Sequence, residues 1–323
     1  MNPRPRISVV IPTHNGAATL PACLQSLRSS SLPPHELIVV DDCSSDGSAE
    51  IAQQFQCCIV RLDENIGAAR ARNRGAQTAT GDVLFFTDDD VIVAPDALAQ
   101  VAEDLSAPLS AGVVGLPARE IPFHNFASHY KNLWMRFTYL RLPRERIGVF
   151  DTTVAAIRRQ VFLELGGFDE NYSGASIAED TEFGQRAWAA GHMLVSDPQV
   201  AVTHCKHYTL SQVLSTDFLR ARALMLMRLR KWGQPFFTSV PLFYQLAVPV
   251  IFAAVFAGPF VPLLSVVLFA AFYALNASWL AYLARERGPR FALCAALFQP
   301  IDVLAVGAGM LAAMIDFVRG VRY

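Results

Sequence analysis

From Trp232 to Ala284 the chain carries no Asp, Glu, Lys or Arg, and an apolar stretch of that length has few ways to fold in water. Within it, Ser239–Ala257 and Phe260–Leu283 each match the roughly 20 residues that cross a hydrocarbon core. Gly258-Pro259 stands between them as a tight turn. The same text would also suit a hydrophobic pair of dimerisation helices. Phe291–Val318 is a third apolar segment, interrupted by Pro300, Asp302 and Asp316. Basic residues flank the stretch: Arg220, Arg222, Arg228, Arg230 and Lys231 before it, Arg285, Arg287 and Arg290 after it. The positive-inside rule puts both clusters in the cytoplasm, with the Gly258-Pro259 turn outside. That makes a multi-pass inner-membrane protein whose N-terminal domain is cytoplasmic. The side taken by Arg319 and Arg322 stays open.

The chain therefore divides at about 231/232, into a globular domain over residues 1–231 and a membrane domain over residues 232–323 with two to three spans. Hydrophobic residues make up 53% of the whole, and this surplus lies in the membrane domain. A net charge of −1 excludes a general nucleic-acid binder, which needs a basic excess. The six cysteines form no C-x-x-C pair and no ligand-spaced cluster, so they read as reduced thiols. Met1–Arg6 is polar and lacks the apolar core of an export signal.

Short apolar runs alternate with helical spacing through the first hundred residues. Ile7–Ile11, Leu37–Val40, Cys58–Leu62 and Val83–Phe86 suit strands buried on both faces, and Ala17–Arg28, Ser48–Phe55 and Ala68–Thr78 suit helices. Such alternation predicts a parallel sheet covered by helices, an α/β fold. From 112 to 231 a second half follows, with strand-like Gly112–Leu116 and Val149–Ile157 and helical Arg159–Leu165 and Glu179–Ala190. In sheets of this kind ligands bind beyond the carboxyl ends of the strands. There the chain reads Pro12-Thr13-His14-Asn15-Gly16, Asp41-Asp42-Cys43-Ser44-Ser45-Asp46-Gly47 and Thr87-Asp88-Asp89-Asp90. Asp46 by itself fits a capping residue. Three adjacent carboxylates, however, repel one another unless hydrogen-bond donors or a cation compensate. Mg²⁺ or Mn²⁺, hard ions with oxygen ligands, suit such a cluster.

Taken in order, "VVIPTHNGAATL", "LIVVDDCSSDGS", "NIGAARARNRGAQTATGDVLFFTDDD", "LGGFDE" and "AEDTEFGQRAWAAG" resemble the family 2 glycosyltransferases of the GT-A fold, over Ile7 to about His204. The resemblance implies inverting transfer of a sugar from a nucleotide-sugar donor, a UDP-sugar by preference, to a lipid-linked or saccharide acceptor at the membrane. It implies that Asp42 contacts the base, and that Asp88 and Asp90 are the ends of a D-x-D motif. Asp90 would hold the metal on the diphosphate, with Asp88 near ribose and metal. Asp180, of the Glu179-Asp180 pair, would be the general base. Pro12, Asn15, Gly67 and Asp89 join the donor side.

Other residues fit two readings each. Arg70, Arg72 and Arg74 form either a row with one member at the donor, Arg70 being the candidate, or a solvated face. His204 reads as a third metal ligand, a diphosphate contact or a structural histidine. Without the upstream motifs, Glu179-Asp180 would be an ordinary helix start. Phe183 and Trp188 read as core. Processive polysaccharide synthases of the family carry Q-x-x-R-W before a span. Here the nearest text is Arg228-Leu229-Arg230-Lys231-Trp232, which suits contact with anionic membrane lipid and favours single transfers. A sugar nucleotidyltransferase would need a Gly-rich, basic loop after the first strand, where this chain has Pro12-Thr13-His14-Asn15. An inactive membrane scaffold would not need Asp42, Asp88, Asp90 and Asp180 together.

Overall fold

A computed structural model describes residues 4–171 and 178–321; Met1–Pro3 of the polar start and Arg322 lie outside them. Two units are formed. One takes Met1–Pro122, Tyr139–Lys206 and Pro235–Phe237, the other Phe123–Thr138, His207–Gln234 and Thr238–Tyr323. A single cut at 231/232 therefore does not describe the division, because 123–138 and 207–234 go with the C-terminal helices.

In the first unit β1 (Ile7–Thr13), β2 (Glu36–Asp41), β3 (Cys58–Arg61) and β4 (Val83–Phe86) run parallel, in the order β3-β2-β1-β4. The sheet continues through β8 (Ala155–Arg158), β6 (Ser110–Pro117), β9 (Met193–His204) and β5 (Val91–Val93), with β7 (Glu145–Ile147) also on β9. β8 is antiparallel to β4 and to β6, and β5 and β7 are antiparallel to β9. The whole sheet is thus mixed, and the parallel pattern of the first hundred residues holds for one side of it.

Alternation along β1 sorts the core into two layers. Ile7, Val9 and Ile11 face a layer with Leu20, Leu24 and Leu27 of α1 (Leu20–Arg28) and Leu98 and Val101 of α4 (Ala97–Asp104). Val10, Ile38 and Val40 face the other, with Ala69 and Ala76 of α3 (Ala68–Thr78). Small residues on α3 let it lie close to the sheet: a Cβ on Gly75 would collide with Val10. Phe86, Phe162, Phe168 and Phe183 cluster in this second layer at ring separations of 5.1 to 5.3 Å. Phe183 is core, as expected, and Trp188 is half-buried with its ring 4.5 Å from that of Phe237. The apolar run Val149–Ile157 is a strand only over β8; its first half is buried loop.

The second unit is helical: α5 (Phe126–Tyr139, except its last residue), α8 (Leu210–Arg230), α9 (Leu242–Ala257), α10 (Pro262–Leu275), α11 (Ala277–Arg287) and α12 (Pro289–Val318). Here the expected spans change. Among the described residues, α12 is the one helix long and apolar enough to cross a membrane, and the shorter α9 has 16 residues. The expected span Phe260–Leu283 is broken, since α10 and α11 meet at 55°. Asn276 sits at the break with its side chain buried. Its Nδ2 donates to Phe272 O (2.9 Å), and its Oδ1 accepts from Gln299 Nε2 (2.7 Å). Such bonds compete with the helical ladder. A crossing hairpin of two full spans is therefore not supported, and neither is a multi-pass topology. Asp302 and Asp316, in contrast, do not interrupt α12. Tyr130 Oη donates to Asp302 Oδ2 at 3.0 Å, and Arg222 Nε donates to Asp316 Oδ2 at 2.5 Å.

Candidate active site

β1 and β2 end in register, Thr13 opposite Asp41, so their polar turns leave the sheet side by side. Thr87 N–H donates to Val10 O at 3.3 Å, which brings Asp88–Asp90 to the same edge. Pro12 is the last residue but one of β1, and Asn15 takes the left-handed conformation at φ 57°. Asn15 N–H donates to Ser44 Oγ, and its Oδ1 accepts from Ser45 N–H, each at 2.9 Å. Asn15 thus stitches the two turns together. Asp42 is buried, and its carboxylate accepts from Ile66 N–H (2.8 Å) and Gly67 N–H (2.9 Å). It fixes the approach to α3, where Gly67 has φ 87° and ψ 159°, a conformation reserved for glycine. Asp46 accepts from Ala17 N–H (2.9 Å) and Ser48 Oγ (2.5 Å).

The three adjacent carboxylates separate their partners. Asp88 Oδ1 accepts from Arg72 Nη2 at 2.6 Å. Asp89 Oδ2 accepts from Thr13 Oγ1 at 2.5 Å, and a Cβ on Gly16 would strike this pair. Burial, with the charges of Asp90 and Asp88, pushes the Asp89 carboxyl up to about 6 against the pull of Thr13. Asp90 Oδ1 lies 3.2 Å from His204 Nε2, on β9, without the geometry of a hydrogen bond. Burial alone would lower the His204 pKa, but contact with Asp90 outweighs it and raises it. Burial would likewise raise Asp90, and the His204 contact leaves it lowered.

α7 (Glu179–Ala189) begins beside this edge through one side chain. Arg72 is 5% exposed; its Nη2 binds Asp88 and its Nη1 donates to Glu179 Oε1 at 3.0 Å. Burial penalises its charge, but Asp88 and Glu179 more than offset this, and its pKa is raised. Asp180 follows at the second helical position, partly exposed, with Thr181 N–H at 2.5 Å from its Oδ1. Ala178, not Asp180, is the N-cap residue.

Asp42, Asp88, Asp89, Asp90 and Gly67 thus gather at one edge, and the Arg72 bridge ties Glu179-Asp180 to it. Arg70 is exposed and lies 3.7 Å from Glu170, and Arg74 is exposed too. Of the arginine row, Arg72 is the inward member, and this had a signal. Ala69, Arg72, Asn73 and Ala76 share the spacing of one helical face. Among the described residues no group of three or more His, Cys, Asp or Glu side chains could hold a metal ion. Asp90 and His204 nonetheless offer a carboxylate oxygen lacking a hydrogen bond and an imidazole nitrogen, a donor pair that suits a divalent ion. Asp88 is committed to Arg72 and does not complete the trio expected with them.

The model of "Glycosyl transferase family 2" matches residues 8–166. An uncharacterized glycosyltransferase of Haemophilus influenzae is 28% identical over 226 residues, 65% of this chain and 71% of that one. Together these matches support a family 2 glycosyltransferase. A further relative of this glycosyltransferase is the O-antigen chain rhamnosyltransferase RfbN of Salmonella typhimurium, 28% identical over 63% of this chain and 68% of its own. Among solved structures, mannosyltransferase PcManGT from Pyrobaculum calidifontis, in complex with GDP-Man and Mn²⁺, has a TM-score of 0.62. Its identity is 22%, over 99% of this chain and 89% of that one. That likeness supports the GT-A fold. The chain is a glycosyltransferase, and so a transferase enzyme.

Proposed function

We propose that the chain makes single, inverting sugar transfers from a nucleotide-sugar donor to a saccharide or lipid-linked acceptor of the cell envelope, at the cytoplasmic membrane. The observation that carries this reading is the shared strand edge, where Asp42, Asp88 and the Asp90–His204 pair sit together and Arg72 ties on the start of α7. Asp42 and Gly67 shape the pocket for the base, and Asp88 and Asp89 border the ribose and diphosphate. Asp90 and His204 would hold Mg²⁺ or Mn²⁺, which when bound offsets the charge of the leaving diphosphate. Asp180 takes the proton of the acceptor hydroxyl as that oxygen bonds to the anomeric carbon and the nucleoside diphosphate departs. Its place in the first helical turn favours the ionised, proton-accepting form. Envelope roles among relatives support the acceptor class: RfbN acts on O-antigen, and TuaG of Bacillus subtilis is named for teichuronic acid biosynthesis. The apolar, exposed side chains of the second unit, Phe256, Phe260, Leu263 and Leu297 among them, support a membrane-lipid contact. The basic residues Arg228, Arg230 and Lys231 would face the headgroups.

The test is a panel of UDP-, GDP- and dTDP-sugars, assayed for binding and turnover with and without Mn²⁺. Asp180→Asn should lower kcat by about 10²–10⁴ with donor affinity kept; a parent-like rate would remove the base assignment. Asp90→Asn should abolish most of the Mn²⁺-dependent component of donor binding. Equal binding by that variant and the parent would exclude Asp90 as the metal's ligand.

A further inference from the structure

Arg72 has a double attachment. Its guanidinium is buried, one nitrogen on Asp88 at the end of β4 and the other on Glu179 in the first turn of α7, at 2.6 and 3.0 Å. Asp88 belongs to the donor edge, and Glu179 is next to Asp180. Glu179 itself is 3% exposed, so this carboxylate faces the protein interior and not the acceptor. A buried ion pair contributes little to net stability, because desolvation offsets its attraction. A three-membered chain of carboxylate, guanidinium and carboxylate is retained more readily as a geometric device. A guanidinium is a planar fork, able to hold two carboxylates at a fixed separation, whereas an ammonium is a point charge on a flexible stem.

We infer that Arg72 is a positioning residue for the transfer: by bridging Asp88 and Glu179 it fixes the distance between the donor edge and Asp180. This rests on Asp180 being the base. The bridge touches neither sugar nor acceptor. It holds the start of α7 where the acceptor oxygen must lose its proton while the donor is held by β4. A reacting group displaced by about 1 Å costs on the order of 10²-fold in rate, so loss of the bridge should appear in turnover and not in donor binding.

Three variants test this: Arg72→Lys, which keeps the charge without the fork, Glu179→Gln, which keeps the shape without the charge, and the double variant. Binding is measured by calorimetry with Mn²⁺ and UDP, GDP or dTDP, whichever the parent binds. Turnover is measured as hydrolysis of the matching sugar nucleotide, UDP-glucose, GDP-mannose or dTDP-rhamnose. The expected result is a loss in kcat of about 10²-fold in each single variant, with nucleotide Kd and binding stoichiometry within about threefold of the parent. The double variant should be no slower than the slower single one, because both remove one bridge. Parent-like turnover in Arg72→Lys would overturn the inference, as would losses that multiply in the double variant. So would nucleotide affinity falling in step with the rate, which would make Arg72 a donor-binding group acting through Asp88 alone. If Arg72→Lys does not fold, Glu179→Gln decides: slow turnover with unchanged affinity supports the bridge, and a parent rate removes it. The two readings fail separately. A fast Asp180→Asn with slow bridge variants would remove the base and leave the bridge acting on another group of α7.

Discussion

Asn73 uses both ends of its amide on one neighbour. Its Nδ2 donates to Phe168 O and its Oδ1 accepts from Phe168 N–H, each at 2.9 Å and both buried. Gly167, at φ 73°, approaches so closely that a Cβ there would meet the Asn73 Oδ1. The text "ARNRG" and the text "LGGFDE" are therefore two halves of one joint. Asn73→Ala should leave both peptide groups buried and unpaired, costing about 2–3 kcal/mol. Asn73→Asp should cost more, since an ionised carboxylate only accepts and would face the Phe168 carbonyl. Chemical denaturation of the two variants checks this; equal stability for Asp and Asn would disprove the pairing. At this scale the sequence displayed the chemistry and hid the partners. Asp88, Asp89 and Asp90 were conspicuous, and their repulsion was the reason to expect a cation. Their different attachments, to Arg72, Thr13 and His204, depend on which distant elements the fold brings alongside, and no local pattern encodes that.

Between elements, α4 and β9 meet through Asp104 and Asp197. Asp197 is 1% exposed, and each residue has a buried carboxylate oxygen without a hydrogen bond. Burial, followed by the charge of Asp197 and a bond to it, pushes the Asp104 carboxyl up to about 7, against the pull of Gln100 and Arg144. Below the ordinary carboxylate value near 3.8 both folded and unfolded chains are protonated, and the pair makes no difference. Between about 4 and 7 only the folded chain keeps the proton, so unfolding releases it and stability falls as pH rises. Above 7 the loss is complete. Asp104→Asn removes this dependence, so its Tm should exceed that of the parent most at pH 8 and least at pH 4. A Tm difference that is flat with pH would rule the pair out. Periodicity resolved the helices of the first hundred residues: α3 spans the residues its spacing predicts. It missed β5 and β7, three residues each, too short to show a period. It also missed α8, although Thr209 and Gln212 form a capping box whose T-x-x-Q text was there to read. The bend at Asn276 gave no Pro or Gly signal, because a buried amide from α12 makes it.

For the whole molecule, the buried charges of the second unit decide how it tolerates change. Lys131 of α5 pairs with Asp217 of α8, both largely shielded from solvent. Lys131→Met should leave Asp217 buried without its cation and destabilise by about 3–5 kcal/mol, whereas Lys131→Met with Asp217→Leu should recover most of that. Thermal unfolding in detergent measures both; a single variant within about 1 kcal/mol of the parent would mean the pair is solvated. The sequence did announce an apolar C-terminal region. It could not announce that α5, lying between two stretches of sheet, belongs with it, because membership depends on contacts such as those of Tyr130 with Trp279 and Phe298.

That membership has a consequence for how the protein is made. Tyr130 and its partner Asp302 are 172 positions apart, and a ribosome adding about 5–20 residues per second needs on the order of ten to thirty seconds to cover that interval. Through most of it, the aromatic face of α5 is already synthesised while α11 and α12 have yet to be made. The nascent chain must therefore shelter that face, with a chaperone or at a bilayer surface, before its own helices arrive. With the membrane contact proposed above, delivery to a bilayer during translation would cover that face before α11 and α12 are made.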